Sequence, residues 1–125
     1  MYVVDSSGWI EHFVDGPNAS NYRKYIQDLS KVVTPTIVLY EVYKKIKREC
    51  TEEDALTAVA LMQQSHVVPL DDSIALSAAD ISLKYSIPMA DSVVYATAVE
   101  NKCLLVTSDE HFRNLDKVKF IPKTA

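Results

Sequence analysis

Apolar positions along the chain follow two rhythms. Short, nearly continuous runs stand at Tyr2-Val3-Val4, Val32-Val33, His66-Val67-Val68-Pro69-Leu70, Leu104-Leu105-Val106 and Val118-Lys119-Phe120-Ile121. Between them, apolar residues recur every three or four positions, so the pattern predicts buried strands separated by amphipathic helices. After the first strand, Ser6-Ser7 offers hydroxyls to cap a helix through Trp9, Ile10 and Phe13. Gly16-Pro17-Asn18 marks a turn, and Tyr22, Tyr25, Ile26 and Leu29 resume helical spacing. Thr34-Pro35 closes the second strand, and from Thr36 a long helix carries Leu39, Val42, Tyr43, Ile46 and Cys50 on one side. Thr51-Glu52-Glu53-Asp54 has the form of a capping box, with Asp in place of Glu or Gln, and opens a helix through Leu56, Val59, Ala60 and Gln63. Asp71-Asp72 starts a helix that ends before Pro88, and Asp91 falls in the first turn of the next. This alternation predicts an α/β fold with a central parallel sheet of four to five strands, covered on both faces.

Length and composition narrow the picture. A chain of 125 residues with 48% hydrophobic content is expected to form one domain, 1–125. Its apolar runs are far shorter than the roughly 20 residues that span a bilayer, and the N-terminus lacks the layout of a signal peptide, so a cytoplasmic protein is expected. Two glycines cannot build a GxGxxG loop or a Walker loop, which excludes nucleotide-cofactor enzymes of those kinds. Cys50 and Cys103 lack metal-site spacing and are expected to be buried thiols. The formal charge of −4 argues against a generic polyanion binder, unless some acids cluster around bound cations.

The acids give that exception substance. Ligands of open parallel sheets collect beyond the carboxyl ends of the strands. Asp5 follows the first strand and Asp109 the fourth, while Glu41 and Asp91 lie in the first turn or two of helices that start on the same edge. Clustered carboxylates oppose folding until a cation or proton neutralises them. Mg²⁺ takes oxygen ligands and keeps several waters, and two such ions can drive in-line displacement at a phosphodiester. Each acid also has a plainer reading: Asp5 as a helix N-cap, Asp91 as a complement to the helix dipole, Asp109 as a loop residue, Glu41 as the i,i+4 partner of Lys45.

These residues resemble the PIN-domain family, and within it the VapC-type toxins of toxin–antitoxin pairs. The resemblance rests on Val3-Val4-Asp5-Ser6-Ser7, on Thr36-Ile37-Val38-Leu39-Tyr40-Glu41-Val42, on Met89-Ala90-Asp91-Ser92-Val93-Val94-Tyr95, and on Leu104-Leu105-Val106-Thr107-Ser108-Asp109-Glu110-His111-Phe112. It implies a three-layer α/β/α sandwich and a Mg²⁺- or Mn²⁺-dependent endoribonuclease. Asp5, Glu41, Asp91 and Asp109 would hold the metal, with Ser7 and Thr107 supporting the acids or their waters. It further implies an RNA substrate, a small antitoxin partner and a homodimer. The chain departs from many relatives at Ser108, where they carry a basic residue, and Glu110 stands beside Asp109 as a rival ligand.

Lys44, Lys45, Arg48 and Arg113 are the candidate RNA-binding cations, and a solvated helix face is their alternative. His12, His66 and His111 show no zinc spacing and are expected to be structural or exposed. Trp9 and Tyr40 are candidates to meet a protein partner. Two readings compete with the ribonuclease. One is a PIN-like module that binds RNA or protein without cutting. The other is a phosphoacceptor receiver domain, for which Asp5 lacks the usual acidic neighbour although Lys119 is near the end of the chain.

Overall fold

The computed structural model describes residues 1–123. Five strands, β1 (Tyr2–Val4), β2 (Val32–Pro35), β3 (His66–Val68), β4 (Leu104–Thr107) and β5 (Val118–Phe120), form one parallel sheet in the order β3-β2-β1-β4-β5. Among the described residues six helices pack on it: α1 (Ser6–Val14), α2 (Ala19–Ile26), α3 (Thr36–Glu49), α4 (Glu52–Met62), α5 (Asp72–Tyr85) and α6 (Met89–Glu100). The result is a three-layer α/β/α sandwich.

The first strand made is the central one. Val3 and Val4 of β1 are fully buried, as are Leu105 and Val106 of β4, because a strand flanked on both edges and covered on both faces has no solvent side. Chain order reverses at β1, which pairs with β2 on one edge and β4 on the other. The crevice beyond the ends of β1 and β4 is thus the topological switch point, where ligands of such sheets bind.

Helix boundaries follow local chemistry. Asp5, rather than Ser6 or Ser7, caps α1: its Oδ1 accepts the Ser6 N–H at 2.8 Å. Thr51 caps α4 by accepting the Asp54 N–H, and Asp71 caps α5 by accepting that of Ile74. Helix α6 is buried nearly all round, which explains its apolar composition. The hydroxyls of Ser92 and Thr97 are satisfied by the carbonyls of Pro88 and Val93.

Several expectations are corrected. Strand β3 stops at Val68, because Pro69 lacks the N–H needed to continue the ladder. Leu29 leaves α2 and lies in a separate 3₁₀ turn, Leu29–Lys31. Cys50 is exposed just past the end of α3, while Cys103 is buried. Trp9 is wholly inside the core and is unavailable to a partner, whereas Tyr40 is more than half exposed. No helix among the described residues is long and apolar enough to cross a membrane.

Candidate metal centre

Asp5 is the residue on which the chain turns from β1 into α1. Its backbone N–H donates to Val106 O at 3.0 Å, which holds the residue against β4 while its carboxylate caps α1. The second carboxylate oxygen, Oδ2, accepts the hydroxyl of Thr107 at 2.8 Å. That hydroxyl in turn accepts the Asp109 N–H at 2.9 Å. One threonine therefore sets the positions of two acids that are far apart in sequence. Asp5 is 5% exposed, and burial pushes its carboxyl up to about 6 against the pull of the bonds from Thr107 and Ser6, with Asp91 and Asp109 adding to the rise.

Asp109 opens a 3₁₀ turn, Glu110–Phe112, and its Oδ1 accepts the His111 N–H at 2.9 Å. That turn brings the His111 ring over the rim. Its Nδ1 lies 2.8 Å from Asp91 Oδ2 and 3.0 Å from Asp109 Oδ1. Burial raises the Asp91 carboxyl, and Asp109 raises it further while His111 lowers it. Glu41 is pushed up to about 7, first by burial, then by Asp5 and Asp91, with the Ser6 hydroxyl bond opposing and Asp109 adding a smaller push. Asp91, Asp109 and His111 bring ligand atoms within 4.8 Å of one another, and the other two acids lie within their electrostatic reach: Asp91 and Asp109 both raise Asp5, and Asp5, Asp91 and Asp109 all raise Glu41.

This donor set fits a divalent cation. Among the described residues, His111 is the sole basic side chain in an ion pair with any of the four acids. Raised carboxyls crowded without a matching positive charge are what a bound cation relieves, and an oxygen-rich set suits Mg²⁺ or Mn²⁺. The Glu41–Lys45 pairing is not formed, since Lys45 pairs with Glu49 at 3.7 Å. An open cleft of about 400 Å³ runs past Asp5 and Asp109, with Lys45, Glu110 and Lys123 also on its walls. Lys44, Lys45 and Arg48 line a second cleft beside Glu41 and Tyr40. A roomier cavity of about 540 Å³ between α5 and α6 is apolar and holds none of the four acids.

The supporting residues divide in a way the sequence does not reveal. Thr107 bridges the acids, but the Ser7 hydroxyl accepts the Ser108 N–H at 3.4 Å, and Ser6 is the serine that acts on Glu41, opposing its rise. Ser108 is buried and bonds to the hydroxyl of Tyr22, so its side chain faces the α1–α2 layer. Gly8 makes room for this arrangement, because a Cβ there would stand 2.4 Å from the Tyr22 ring. Among the cations, Lys44 lies over the Tyr40 ring, Arg48 lies 3.9 Å from Glu49, and Arg113 pairs with Glu110 while stacking on Phe120. His111 is the participant that spacing alone did not single out. Its signal is the Asp109-Glu110-His111 triplet, which places a nitrogen donor one short turn beyond an acid.

A parallel sandwich with an acidic rim at its switch point defines a class of α/β proteins, and the comparisons narrow it. The chain belongs to the PIN domain family, whose model matches residues 2–118. That assignment removes the receiver-domain reading. No curated protein sequence matches the chain. Its fold is similar to a toxin–antitoxin complex chain from Klebsiella pneumoniae, with TM-score 0.81, 18% identity, and 95% of this chain and 96% of that one covered. It is also similar to VapC20 of Mycobacterium tuberculosis, described as a sarcin–ricin loop cleaving toxin, with TM-score 0.76, 15% identity and coverage of 94% and 98%. A third similar structure is VapBC2 from Rickettsia felis bound to a promoter DNA fragment, with TM-score 0.76, 13% identity and coverage of 97% on both sides.

Proposed function

We propose that the chain is a cytoplasmic metal-dependent endoribonuclease and the toxin member of a toxin–antitoxin pair. Asp5, Glu41, Asp91 and Asp109 bind Mg²⁺ or Mn²⁺ in this reading. The observation that carries it is geometric: at the switch point Thr107 ties Asp5 to Asp109 and the His111 ring lies within 3.0 Å of both Asp91 and Asp109, while burial first and neighbouring acids second raise Asp5, Glu41 and Asp91. A divalent ion bound there supplies a Lewis acid for a phosphodiester oxygen and a water of lowered pKa.

The chain's own residues do the positioning. Thr107 fixes Asp5 and Asp109 relative to each other, and Ser6 orients Asp5 through its N–H. Lys45 lines both clefts beside the acids and is placed to meet the RNA backbone, which compensates locally for the acidic net charge. RNA cleavage by the similarly folded VapC20 supports RNA as substrate. The reading includes a small antitoxin and self-association. Exposed Leu70, Leu83 and Met89 around the α5–α6 cavity supply apolar surface that a protein partner can bury.

The test is cleavage of a mixed RNA pool by the purified chain with Mg²⁺ or Mn²⁺, with and without EDTA. Cleavage that EDTA stops is expected. EDTA-resistant cleavage overturns the metal mechanism, and metal binding with no cleavage of any RNA favours a binding module.

A further inference from the structure

We infer that His111 is a nitrogen ligand of the metal centre and tilts its choice toward Mn²⁺ over Mg²⁺. The inference rests on the metal-centre reading above and adds a fifth donor of different chemistry to the four acids.

The geometry is that of ligands sharing one ion. An octahedral centre with bonds of roughly 2.0–2.1 Å places neighbouring ligand atoms about 3 Å apart. His111 Nδ1 lies 2.8 Å from Asp91 Oδ2 and 3.0 Å from Asp109 Oδ1, and one ligand atom from each of the three residues falls within 4.8 Å of the others. The ring is not placed there by chance packing. Asp109 accepts the backbone N–H of His111, so the same carboxylate that would share the ion also fixes the loop bearing the nitrogen. The side chain is 53% exposed, which leaves it free to adjust by the small amount that converts a hydrogen bond into a shared metal contact.

The consequence for metal choice follows from donor softness. Mg²⁺ is held by oxygen and loses little when a nitrogen is removed, whereas first-row transition ions gain from imidazole. A neutral nitrogen among crowded carboxylates also adds a donor without adding negative charge.

The experiment uses the tag-free chain and its His111→Ala and His66→Ala variants, each verified as folded by circular dichroism. Pulsed electron paramagnetic resonance of bound Mn²⁺ is read for ¹⁴N coupling, and Mn²⁺ and Mg²⁺ are titrated calorimetrically. Strong ¹⁴N coupling is expected in the native chain and in His66→Ala, and its loss in His111→Ala. The affinity for Mn²⁺ is expected to fall about 10-fold in His111→Ala, the scale seen when a metal's supporting residue is lost, with a smaller change for Mg²⁺. Bound Mn²⁺ without nitrogen coupling overturns the inference while leaving the four-acid centre standing. Tighter Mn²⁺ binding in His111→Ala also overturns it, since the imidazole would then be a competitor for the site. Failure of the native chain to bind Mn²⁺ at all overturns both the inference and the metal-centre reading.

Discussion

Thr107 donates its hydroxyl to Asp5 Oδ2 across 2.8 Å, joining residues 102 positions apart in the chain. The Thr107 Oγ1 that donates also accepts the Asp109 N–H, so it is the pin between the ends of β1 and β4. Thr107→Val keeps the shape and removes the pin. Cleavage is expected to fall roughly 10- to 100-fold, the range for groups that orient metal ligands, and Thr107→Ser is expected to restore most of it. Thermal melts of the same proteins check that the loss is not unfolding, since stranding a buried acceptor and donor costs about 1–3 kcal/mol each.

Asp5→Asn and Asp109→Asn are expected to abolish cleavage of the mixed RNA pool while leaving the circular dichroism spectrum unchanged. Each keeps the size of the side chain and removes charge from the cation's surroundings. Full activity in a folded Asp5→Asn protein would sink the site assignment.

Stability without metal should run opposite to the usual carboxylate trend. The Asp5 and Glu41 carboxyls lie at about 6 and about 7 in the folded chain, above their ordinary 3.8 and 4.5. Between those limits the folded state holds more protons than the unfolded state, so these two groups make stability fall as pH rises from about 4 through 7. With EDTA present, the melting temperature is expected to be higher at pH 5.5 than at pH 8. Millimolar Mn²⁺ is expected to recover the difference at pH 8 by binding only the folded state. A metal-free melting temperature that climbs through this interval would contradict the crowding of the acids.

Glu41→Gln separates stability from function. It is expected to raise the metal-free melting temperature at pH 8, because it removes a charge that burial and three other acids disfavour, and to abolish cleavage. A drop in both would mean that Glu41 serves the fold.

Gly8→Ala is expected to destabilise by about 1–3 kcal/mol, the usual cost of forcing a methyl group into a packed core. The added Cβ would stand 2.4 Å from Tyr22 Cδ1 and 2.7 Å from Val4 Cγ1. Denaturant melts of the variant provide the measurement.

The strands, and the sheet edge on which the acids fall, were legible because their signals are local. A strand buried on both faces reads as an unbroken apolar run, as in Tyr2-Val3-Val4 and Leu104-Leu105-Val106, and an acid directly after it falls on the ligand edge whatever the details of packing. What escaped depends on side-chain direction across the fold. Ser6 and Ser7 are chemically alike, and only the register of α1 decides that Ser6 donates its N–H to Asp5 while the Ser7 hydroxyl meets the Ser108 backbone. The position of His111 depends on α6 bringing Asp91 beside the 3₁₀ turn, a contact that no spacing within 109–111 could reveal. The same holds for Trp9, an interface residue by type and a core residue by placement.

The strand order β3-β2-β1-β4-β5 also sets a clock. Asp5 directly follows the central strand, yet its partner Thr107 is synthesised 102 residues later. At about 5–20 residues per second, a ribosome takes roughly 5 to 20 s to cross that interval. For most of it the growing chain lacks Asp91, which is made near its end, and Asp109 follows only after Thr107. A nascent chain of this topology cannot assemble the rim beside the ribosome's own RNA until translation is nearly complete, and any protein that masks the rim has that interval in which to be waiting.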